Sequence, residues 1–204
     1  MKKAFIFDFD DTLYYGVNWS YWHQLKYDFI LDHFKYLSQE NLKKMLKEYD
    51  CYKKPENVNV IKILIDKEGS AQAWLNFRET LDENFDEMKK AQAVENSELE
   101  KFAKAGKCFI VSNSNLKGIV NLAKFFKIDL NLFDKIYVND YSLEDITKSK
   151  YYQNILQKTN LNPKDVVVIG NNYSYDLQPA KDLGMKIYHC TNGFTYEEVM
   201  RKAF

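Results

Sequence analysis

The segment from Ala4 to Leu13 reads AFIFDFDDTL, in which four apolar residues lead directly into three carboxylates and a hydroxyl. An unbroken apolar run bounded by polar residues is typical of a strand buried on both faces, as in a parallel sheet. Open α/β sheets bind ligands just beyond the carboxyl ends of their strands, which is where Asp8 would lie. An acidic turn with no chemical role is the alternative, but crowding three acids at one strand end has a repulsive cost that structure alone does not require.

The same stretch also indicates which chemistry it can support. Crowded carboxylates repel one another unless a cation joins them, and their hard oxygen ligands favour Mg²⁺. A carboxylate in this position can also act as the nucleophile in phosphoryl transfer, which gives an aspartyl-phosphate. The segment therefore predicts a metal-assisted site for phosphate chemistry.

Composition narrows the class of protein and its partners. The chain has 204 residues, which suits one domain or one domain with a sizeable insertion, and 46% of them are hydrophobic, enough for a substantial core. Lysine plus arginine equals aspartate plus glutamate, so no basic stripe or polybasic segment favours nucleic acid or anionic lipid. We expect a small-molecule partner. The oligomeric state cannot be inferred from these features.

The N-terminus and the cysteines predict a cytoplasmic protein. The apolar run ends at Asp8, far short of the hydrophobic region of a signal peptide. No stretch approaches the length of a membrane span. Cys51, Cys108 and Cys190 are odd in number, far apart and outside any CxxC pair, so we expect reduced thiols.

Residues 16–95 are predicted to form a mainly helical domain inserted into the sheet domain of residues 1–15 and 96–204. Apolar residues recur there at steps of three and four from about residue 18 to 37, again to about 49, and from 71 onward. Val58 to Ile65 is ambiguous between a helix and a strand. Arg78 is a candidate substrate contact because arginine binds anions bidentately. A solvated helix face is the alternative interpretation of that residue.

The remainder of the chain alternates between predicted strands and helices, the pattern of a Rossmann-like α/β core with helices on both faces of a parallel sheet. Apolar runs predict strands at 108–111, 133–138 and 166–170. Ser97 and Glu100 have the spacing of a capping box, which predicts a helix start there and an end at Gly106. Further helices are predicted over 116–126 and after about residue 148.

The segment Asp8-Phe9-Asp10-Asp11-Thr12 resembles the first motif, D-x-D-x-T, of the haloacid dehalogenase-like superfamily, most of whose members are Mg²⁺-dependent phosphatases. The strand ending in Ser112-Asn113 is similar to the second motif of that superfamily. Lys148, with Lys150 as the reserve, is similar to the third, a lysine at a helix start, although the usual Lys-Pro is missing. The helical insertion after the first motif looks like the cap domain of these proteins, which would close over the substrate.

The segment from Gly170 to Asp176 is similar to the fourth motif, Gly-Asp-(four residues)-Asp, and is followed by the family-like Ala-Lys and Leu-Gly-Met. It departs from the motif at Asn171, which replaces the first acid, and Asn172 beside it is also an amide. An asparagine carbonyl can ligate Mg²⁺ but is neutral, so Asn171 should bind the ion more weakly than aspartate would.

The resemblance implies a role for each of these positions. Asp8 would attack phosphorus, and Asp10 would act first as general acid and then as general base. The other implied catalytic residues are Thr12, Ser112 and Lys148, and Asn113 is a candidate substrate contact beside Arg78, which is proposed from its chemistry alone. The implied Mg²⁺ ligands are Asp8, Asp10 and Asn171 or Asn172, with Asp176 in outer-sphere support.

Three other functions stay open at this point. A metal-free 2-haloacid dehalogenase of the same superfamily tends to carry a similar fourth motif, but such enzymes generally lack the second acid, here Asp10. A phosphomutase uses the same first motif. A non-catalytic protein that binds a metal or phosphate is the third possibility, since the first acid of the fourth motif has been lost.

Overall fold

A computed structural model of the chain describes residues 3–81, 91–138 and 148–204. The chain divides into two units, one formed by Met1–Gly16 with Lys90–Phe204 and the other by Val17–Lys89. The side chain of Arg78 lies outside the described part of the structure, so its role as a substrate contact stays a prediction. None of the described helices combines the length and the apolar character that a membrane span requires.

Among the residues that the structure describes, the first unit contains a parallel sheet of five strands in the order β5-β4-β1-β6-β7. Its strands are β1 (Lys3–Phe7), β4 (Gly106–Ser112), β5 (Lys135–Val138), β6 (Val166–Gly170) and β7 (Lys186–His189). A short antiparallel pair joins β2 (Tyr14–Tyr15) to β3 (Gln92–Ala93). The predicted α/β class with a parallel sheet is therefore confirmed.

Helices cover both faces of this sheet. The helices of the first unit are α5 (Asn96–Ala105), α6 (Leu116–Phe126), α7 (Ser149–Thr159), α8 (Gln178–Asp182) and α9 (Tyr196–Ala203). On one face Ala4 and Ile6 pack with Ile155 of α7 and Ala180 of α8. On the other face Phe7 lies edge-on to Phe102 of α5, with ring centroids 5.2 Å apart.

The order of the strands places the candidate site. β1 lies between β4 and β6, and Phe7, its last residue, pairs with Ile110 on one side and Ile169 on the other. The carboxyl ends of the three central strands therefore meet at one edge of the sheet. After β5 the chain crosses to the other side of β1, and ligands bind at such a change of direction in open α/β sheets.

The second unit is helical in its described part. It contains α1 (Trp19–His33), α2 (Gln39–Glu48), α3 (Val60–Glu68) and α4 (Gln72–Leu81), with a 3₁₀ turn at Pro55–Asn57. Ile30, Phe34, Ile63 and Trp74 belong to its own buried apolar cluster. The ambiguous segment at Val58 to Ile65 contributes to α3, which Asn59 caps and Gly69 ends at a positive φ of 72°.

The structure corrects some of the predicted boundaries. The capping box at Ser97 does not begin α5, because the helix starts one residue earlier at Asn96. The side chain of Asn96 binds the backbone at Lys127 and Asp129, so a tertiary contact sets this helix start. The strand predicted from residue 133 begins at Lys135, after a 3₁₀ turn at Leu130–Leu132. β7 and the β2–β3 pair were not predicted.

Candidate active site

Asp8 lies directly after β1, at the edge where the central strands end. Its backbone N–H donates to the carbonyl oxygen of Ile169 in β6, at 2.9 Å, so its backbone position belongs to the sheet. The residue is only 7% exposed. Thr12, which is fully buried, donates its hydroxyl to Asp8 Oδ2 at 3.1 Å. The Asp8 carboxylate is therefore fixed in position by both the strand and the turn that follows it.

Lys148 brings a buried positive charge to this carboxylate. Its Nζ lies 2.5 Å from Asp8 Oδ1 and 2.6 Å from Asp176 Oδ1, and the side chain is almost completely buried. Burial alone would lower the pKa of this ammonium, but Asp8 and Asp176 outweigh that effect and raise it, so the group stays charged. Lys150, the reserve candidate, is exposed on α7. Lys148 is the lysine that reaches the carboxylates.

The charges around Asp8 leave an excess of negative charge. Burial raises the pKa of Asp8 from 3.8 to about 7, and the nearby carboxylates of Asp176 and Asp10 add to this effect, against the opposing charge of Lys148. Burial is the largest cause of the shift, and among the described groups three neighbouring carboxylates, those of Asp8, Asp10 and Asp176, share the one ammonium of Lys148. A second cation would favour the ionised form of Asp8, which is the form that acts as a nucleophile.

Asp10 is held by two hydroxyl groups that the sequence did not indicate. Tyr14 donates its phenolic O–H to Asp10 Oδ1 at 2.5 Å, and Ser114 donates its hydroxyl to Oδ2 at 2.5 Å. Asp10 itself is half-buried, whereas Tyr14 and Ser114 are buried. The position of Ser114, two residues after the predicted Ser112, was the one available signal for this contact.

Ser112 ends β4 at the same edge of the sheet and is buried. Its Oγ accepts the backbone N–H of Ser114 at 3.0 Å, so the oxygen has a partner while its own hydrogen can be donated to a ligand. Asn113, the predicted substrate contact beside it, is half-buried in the loop after the strand. The second segment therefore presents a hydrogen-bond donor close to the carboxylates.

The fourth segment contributes Asp176 through a tight turn. A Cβ on Gly170 would lie 2.7 Å from the Cβ of Asp176, so a larger residue at 170 would displace this aspartate. Residues Tyr173–Leu177 form a π-helical turn that runs into α8. The backbone N–H of Asn172 donates to Asp176 Oδ2 at 2.9 Å. The turn therefore fixes the carboxylate that faces Lys148.

The two amides of this segment are oriented differently. Asn171 donates its side-chain NH₂ to Asp11 Oδ2 at 3.3 Å, which leaves its carbonyl oxygen as an acceptor. The side-chain oxygen of Asn172 instead accepts the backbone N–H of Tyr175 at 3.1 Å, and Asn172 is exposed. Of the two amides, Asn171 is the better placed to offer its oxygen to a cation.

The donors at this edge fit a hard cation such as Mg²⁺. Across residues 3–81, 91–138 and 148–204, no three side chains of His, Cys, Asp or Glu are arranged to hold a metal ion. An ion here would therefore also need neutral oxygens, and the backbone carbonyl of Asp10 and the amide oxygen of Asn171 are of that kind. The uncompensated charge beside Asp8 favours a cation at the same place. The oxygen-only donor set suits Mg²⁺ rather than a softer metal.

A family model described as hydrolase, haloacid dehalogenase-like hydrolase, matches residues 2–184. Comparison with curated proteins gives no match. Among solved structures, a putative phosphoglycolate phosphatase from Lactobacillus plantarum has a TM-score of 0.62 and 13% identity, and the match covers 100% of both chains.

Two further solved structures share the architecture. The putative HAD-hydrolase YfnB from Bacillus subtilis, solved bound to magnesium, has a TM-score of 0.56 and 14% identity over 98% of this chain and 97% of that one. CbbY from Rhodobacter sphaeroides, solved in complex with phosphate, has a TM-score of 0.59 and 14% identity over 92% and 85% of the two chains. At these identities the likeness is one of fold.

Proposed function

Because this chain belongs to the haloacid dehalogenase-like hydrolase family, we propose that it is a Mg²⁺-dependent phosphatase acting on a small phosphate monoester. One observation carries the proposal: a buried carboxylate, that of Asp8, directly follows the central strand and has the ammonium of Lys148 on one of its oxygens. Asp10 is two residues farther along the chain. A nucleophile, a proton-transfer group and a fixed positive charge are the parts that phosphoryl transfer needs. Two of the similar solved structures, one titled a putative phosphoglycolate phosphatase and one solved in complex with phosphate, support the substrate class.

In the proposed reaction Asp8 attacks phosphorus, and the bond from phosphorus to the leaving oxygen breaks as Asp10 gives that oxygen its proton. The product alcohol leaves and an aspartyl-phosphate remains on Asp8. Asp10, now ionised, takes a proton from a water molecule as that water attacks phosphorus; the bond between phosphorus and the Asp8 oxygen breaks, which releases phosphate and restores the Asp8 carboxylate. Ser112 donates a hydrogen bond to a phosphoryl oxygen. Thr12 donates to Asp8 Oδ2, the carboxylate oxygen that Lys148 does not contact.

The proposed Mg²⁺ site consists of Asp8, the backbone carbonyl of Asp10 and the side-chain oxygen of Asn171. When bound, the ion offsets the repulsion between the Asp8 carboxylate and the phosphate. In this proposal Asp176 has an outer-sphere role and binds the ammonium of Lys148. A relative solved with magnesium favours this choice of metal.

We further propose that residues 1–15 and 96–204 carry the chemistry and that the helical insertion serves as a cap domain that selects the substrate. Arg78 and Asn113 remain the proposed substrate contacts. Asp10 favours phosphate chemistry over dehalogenation, because a departing halide needs no proton.

The test of the proposed function is hydrolysis of 4-nitrophenyl phosphate with excess Mg²⁺ and, separately, with EDTA. We expect turnover with Mg²⁺ and a loss of at least about 100-fold with EDTA, since the metal stabilises the charge of the transition state by several kcal/mol. Activity that is undiminished by EDTA would contradict the metal requirement. Hydrolysis of a 2-haloacid in place of the phosphate ester would overturn the proposed reaction.

Replacing Asn171 with aspartate is expected to change the thermal stability of the protein in opposite ways with and without Mg²⁺. Without the ion, the new carboxylate faces Asp11 in place of the amide that now donates to it, so the melting temperature should fall. With the ion, the added charge should bind it roughly tenfold more tightly, about 1.4 kcal/mol. The rise in melting temperature on adding saturating Mg²⁺ should therefore exceed that of the wild type by about 3–6 °C.

Asn172→Asp is the matched control for that measurement. Aspartate at 172 keeps an oxygen that accepts the N–H of Tyr175, and it adds the same charge one residue away. We expect its response to Mg²⁺ to equal that of the wild type. A larger response from Asn172→Asp than from Asn171→Asp would move the proposed ligand to position 172.

A further inference from the structure

The carboxyl group of Asp10 is bound on both oxygens by hydroxyl groups from two separate parts of the chain. Tyr14 comes from the short strand β2 and Ser114 from the loop after β4, and each hydroxyl oxygen lies 2.5 Å from a different oxygen of Asp10. A carboxyl group held on one oxygen can still rotate about its last bond, whereas one held on both cannot. The contacts therefore fix the plane of this side chain.

Tyr14 is itself held rigidly. It is 1% exposed, and its ring stacks on Phe126 at the end of α6, with centroids 4.7 Å apart and planes 13° apart. Phe9 lies edge-on to it at 5.5 Å. An aromatic ring packed between two others has one available orientation, so the phenolic oxygen is a fixed point rather than a mobile donor.

Ser114 is held in place by a hydrogen bond to Ser112. Its backbone N–H donates to Ser112 Oγ, and the residue is 3% exposed. One short loop therefore positions two groups, the hydroxyl of Ser112 toward a phosphoryl oxygen and the hydroxyl of Ser114 toward Asp10.

Hydroxyl groups suit a residue that must work in two protonation states. Each hydroxyl donates to one lone-pair site of an Asp10 oxygen, so Tyr14 and Ser114 can hold Asp10 as a carboxylate and also as a carboxylic acid whose hydrogen occupies a second site. A lysine in the same place would favour only the ionised form. Each carboxyl oxygen also has a second lone-pair site, which remains for the leaving oxygen or the attacking water.

We propose that Tyr14 and Ser114 are positioning residues that together hold the carboxyl group of Asp10 in the direction needed for proton transfer to the leaving oxygen. The inference rests on the proposed phosphatase function, in which Asp10 supplies that proton as the bond from phosphorus to the leaving oxygen breaks. Its consequence is specific: loss of either hydroxyl should slow the esters whose leaving group needs a proton. Esters that release a stable anion should be spared.

The experiment compares kcat/KM for two aryl phosphates, phenyl phosphate and 2,4-dinitrophenyl phosphate, at saturating Mg²⁺. Phenolate leaves poorly without a proton, whereas dinitrophenolate leaves readily as the anion. The ratio kcat/KM covers steps up to the departure of the leaving group, so later hydrolysis of the aspartyl-phosphate does not enter. Tyr14→Phe should lower kcat/KM for phenyl phosphate about tenfold and for the dinitrophenyl ester less than about twofold, a fraction of what general acid catalysis supplies.

Ser114→Ala should show the same pattern, and Ser114→Thr, which restores a hydroxyl, should recover most of the loss. Tyr15→Phe is the matched control, because the hydroxyl of Tyr15 binds Gln92 rather than Asp10, and both esters should be unaffected. If Tyr14→Phe does not fold, Ser114→Ala carries the test, since it leaves the Tyr14 ring in place. Equal losses on the two esters, or no loss on either, would overturn the inference. Failure of the wild type on both esters would instead overturn the proposed phosphatase function.

Discussion

Asp8→Asn is expected to abolish phosphate ester hydrolysis, with a loss of about 10³-fold or more, because the amide has no oxygen nucleophile able to form an aspartyl-phosphate. The substitution is nearly isosteric. Its remaining oxygen can still accept from Lys148, and Thr12 can reverse its hydroxyl to accept from the new NH₂. The loss should therefore come from the chemistry and not from a disturbed fold.

Stability gives an independent readout of the same variant. Asp8 holds its proton more tightly in the folded protein than in the unfolded chain, since its pKa rises from 3.8 to about 7. Stability from this group is therefore fully present below pH 3.8 and is lost as the pH rises toward 7. Asparagine does not titrate and avoids this loss. At pH 8 without Mg²⁺ we expect Asp8→Asn to be more stable than the wild type by about 1–4 kcal/mol, with the difference shrinking toward pH 4.

Urea unfolding at pH 4, 6 and 8 measures the stability difference, and initial rates on 4-nitrophenyl phosphate measure the activity. Asp182→Asn is the control, because Asp182 is exposed on α8 and binds only Gln178 among the contacts described. It should leave the rate unchanged. Wild-type activity in Asp8→Asn would place the nucleophile elsewhere, and a less stable Asp8→Asn at pH 8 would contradict the account of its charge.

The placement of the site was predictable because parallel strands end at one edge. Apolar runs ending at Phe7, Val111 and Ile169 predict strands followed by Asp8, Ser112 and the fourth segment, and the structure sets these three strands side by side. Packing of β1 between two neighbours then buries the acid that follows it. These features depend on hydrophobic patterning and strand ends, which a sequence displays directly.

Contacts made by side chains across the fold were not predictable in the same way. Ser114 reaches Asp10 from 104 residues away, and nothing in its local pattern separates it from a helix cap. Tyr14 lies in β2, and its pairing with β3 was not predictable because two-residue strands carry no periodicity. The start of α5 was misplaced for a related reason, since Asn96 is fixed by a distant part of the chain.

The lysine of the third motif was left open between two candidates because lysines are common in this chain. Burial separates them: Lys148 is 1% exposed, and Lys150 is exposed on the first turn of α7. Residues two apart at the start of a helix point in different directions, so a shift of two residues moves a side chain from the protein interior to solvent. Sequence alone could not give the direction in which α7 packs.

Lys148→Met is expected to lower kcat on 4-nitrophenyl phosphate by about 10²–10³-fold and to destabilise the protein. The ammonium is the one described cation on both Asp8 and Asp176, at 2.5 and 2.6 Å, and its loss removes a fixed charge from the site of phosphoryl transfer. Removing one partner of a buried ion pair typically costs about 3–5 kcal/mol, because it leaves the other charge buried without compensation. Methionine keeps most of the volume, so a packing defect contributes little.

The pH dependence separates a charge effect from a packing effect. Without Lys148 the pKa of Asp8 should rise further, since within the described part of the chain the charge and hydrogen bond of this lysine are what lower it. A raised carboxyl pKa costs stability at high pH and not at low pH, so the deficit in Lys148→Met should be largest at pH 8 and should shrink as the pH falls to 5. A deficit that stays constant between pH 5 and pH 8, measured by urea unfolding, would instead indicate lost packing.

Lys150→Met completes the argument, because it removes the same charge two residues along the same helix. Its side chain is exposed, so its removal should change stability by less than about 0.5 kcal/mol and leave kcat within about twofold of the wild type. If both variants lose activity equally, the loss reflects the summed positive charge of the lysines around α7 rather than the contact between Lys148 and Asp8. Loss in Lys148→Met alone identifies the ammonium on Asp8 as the charge that phosphoryl transfer uses.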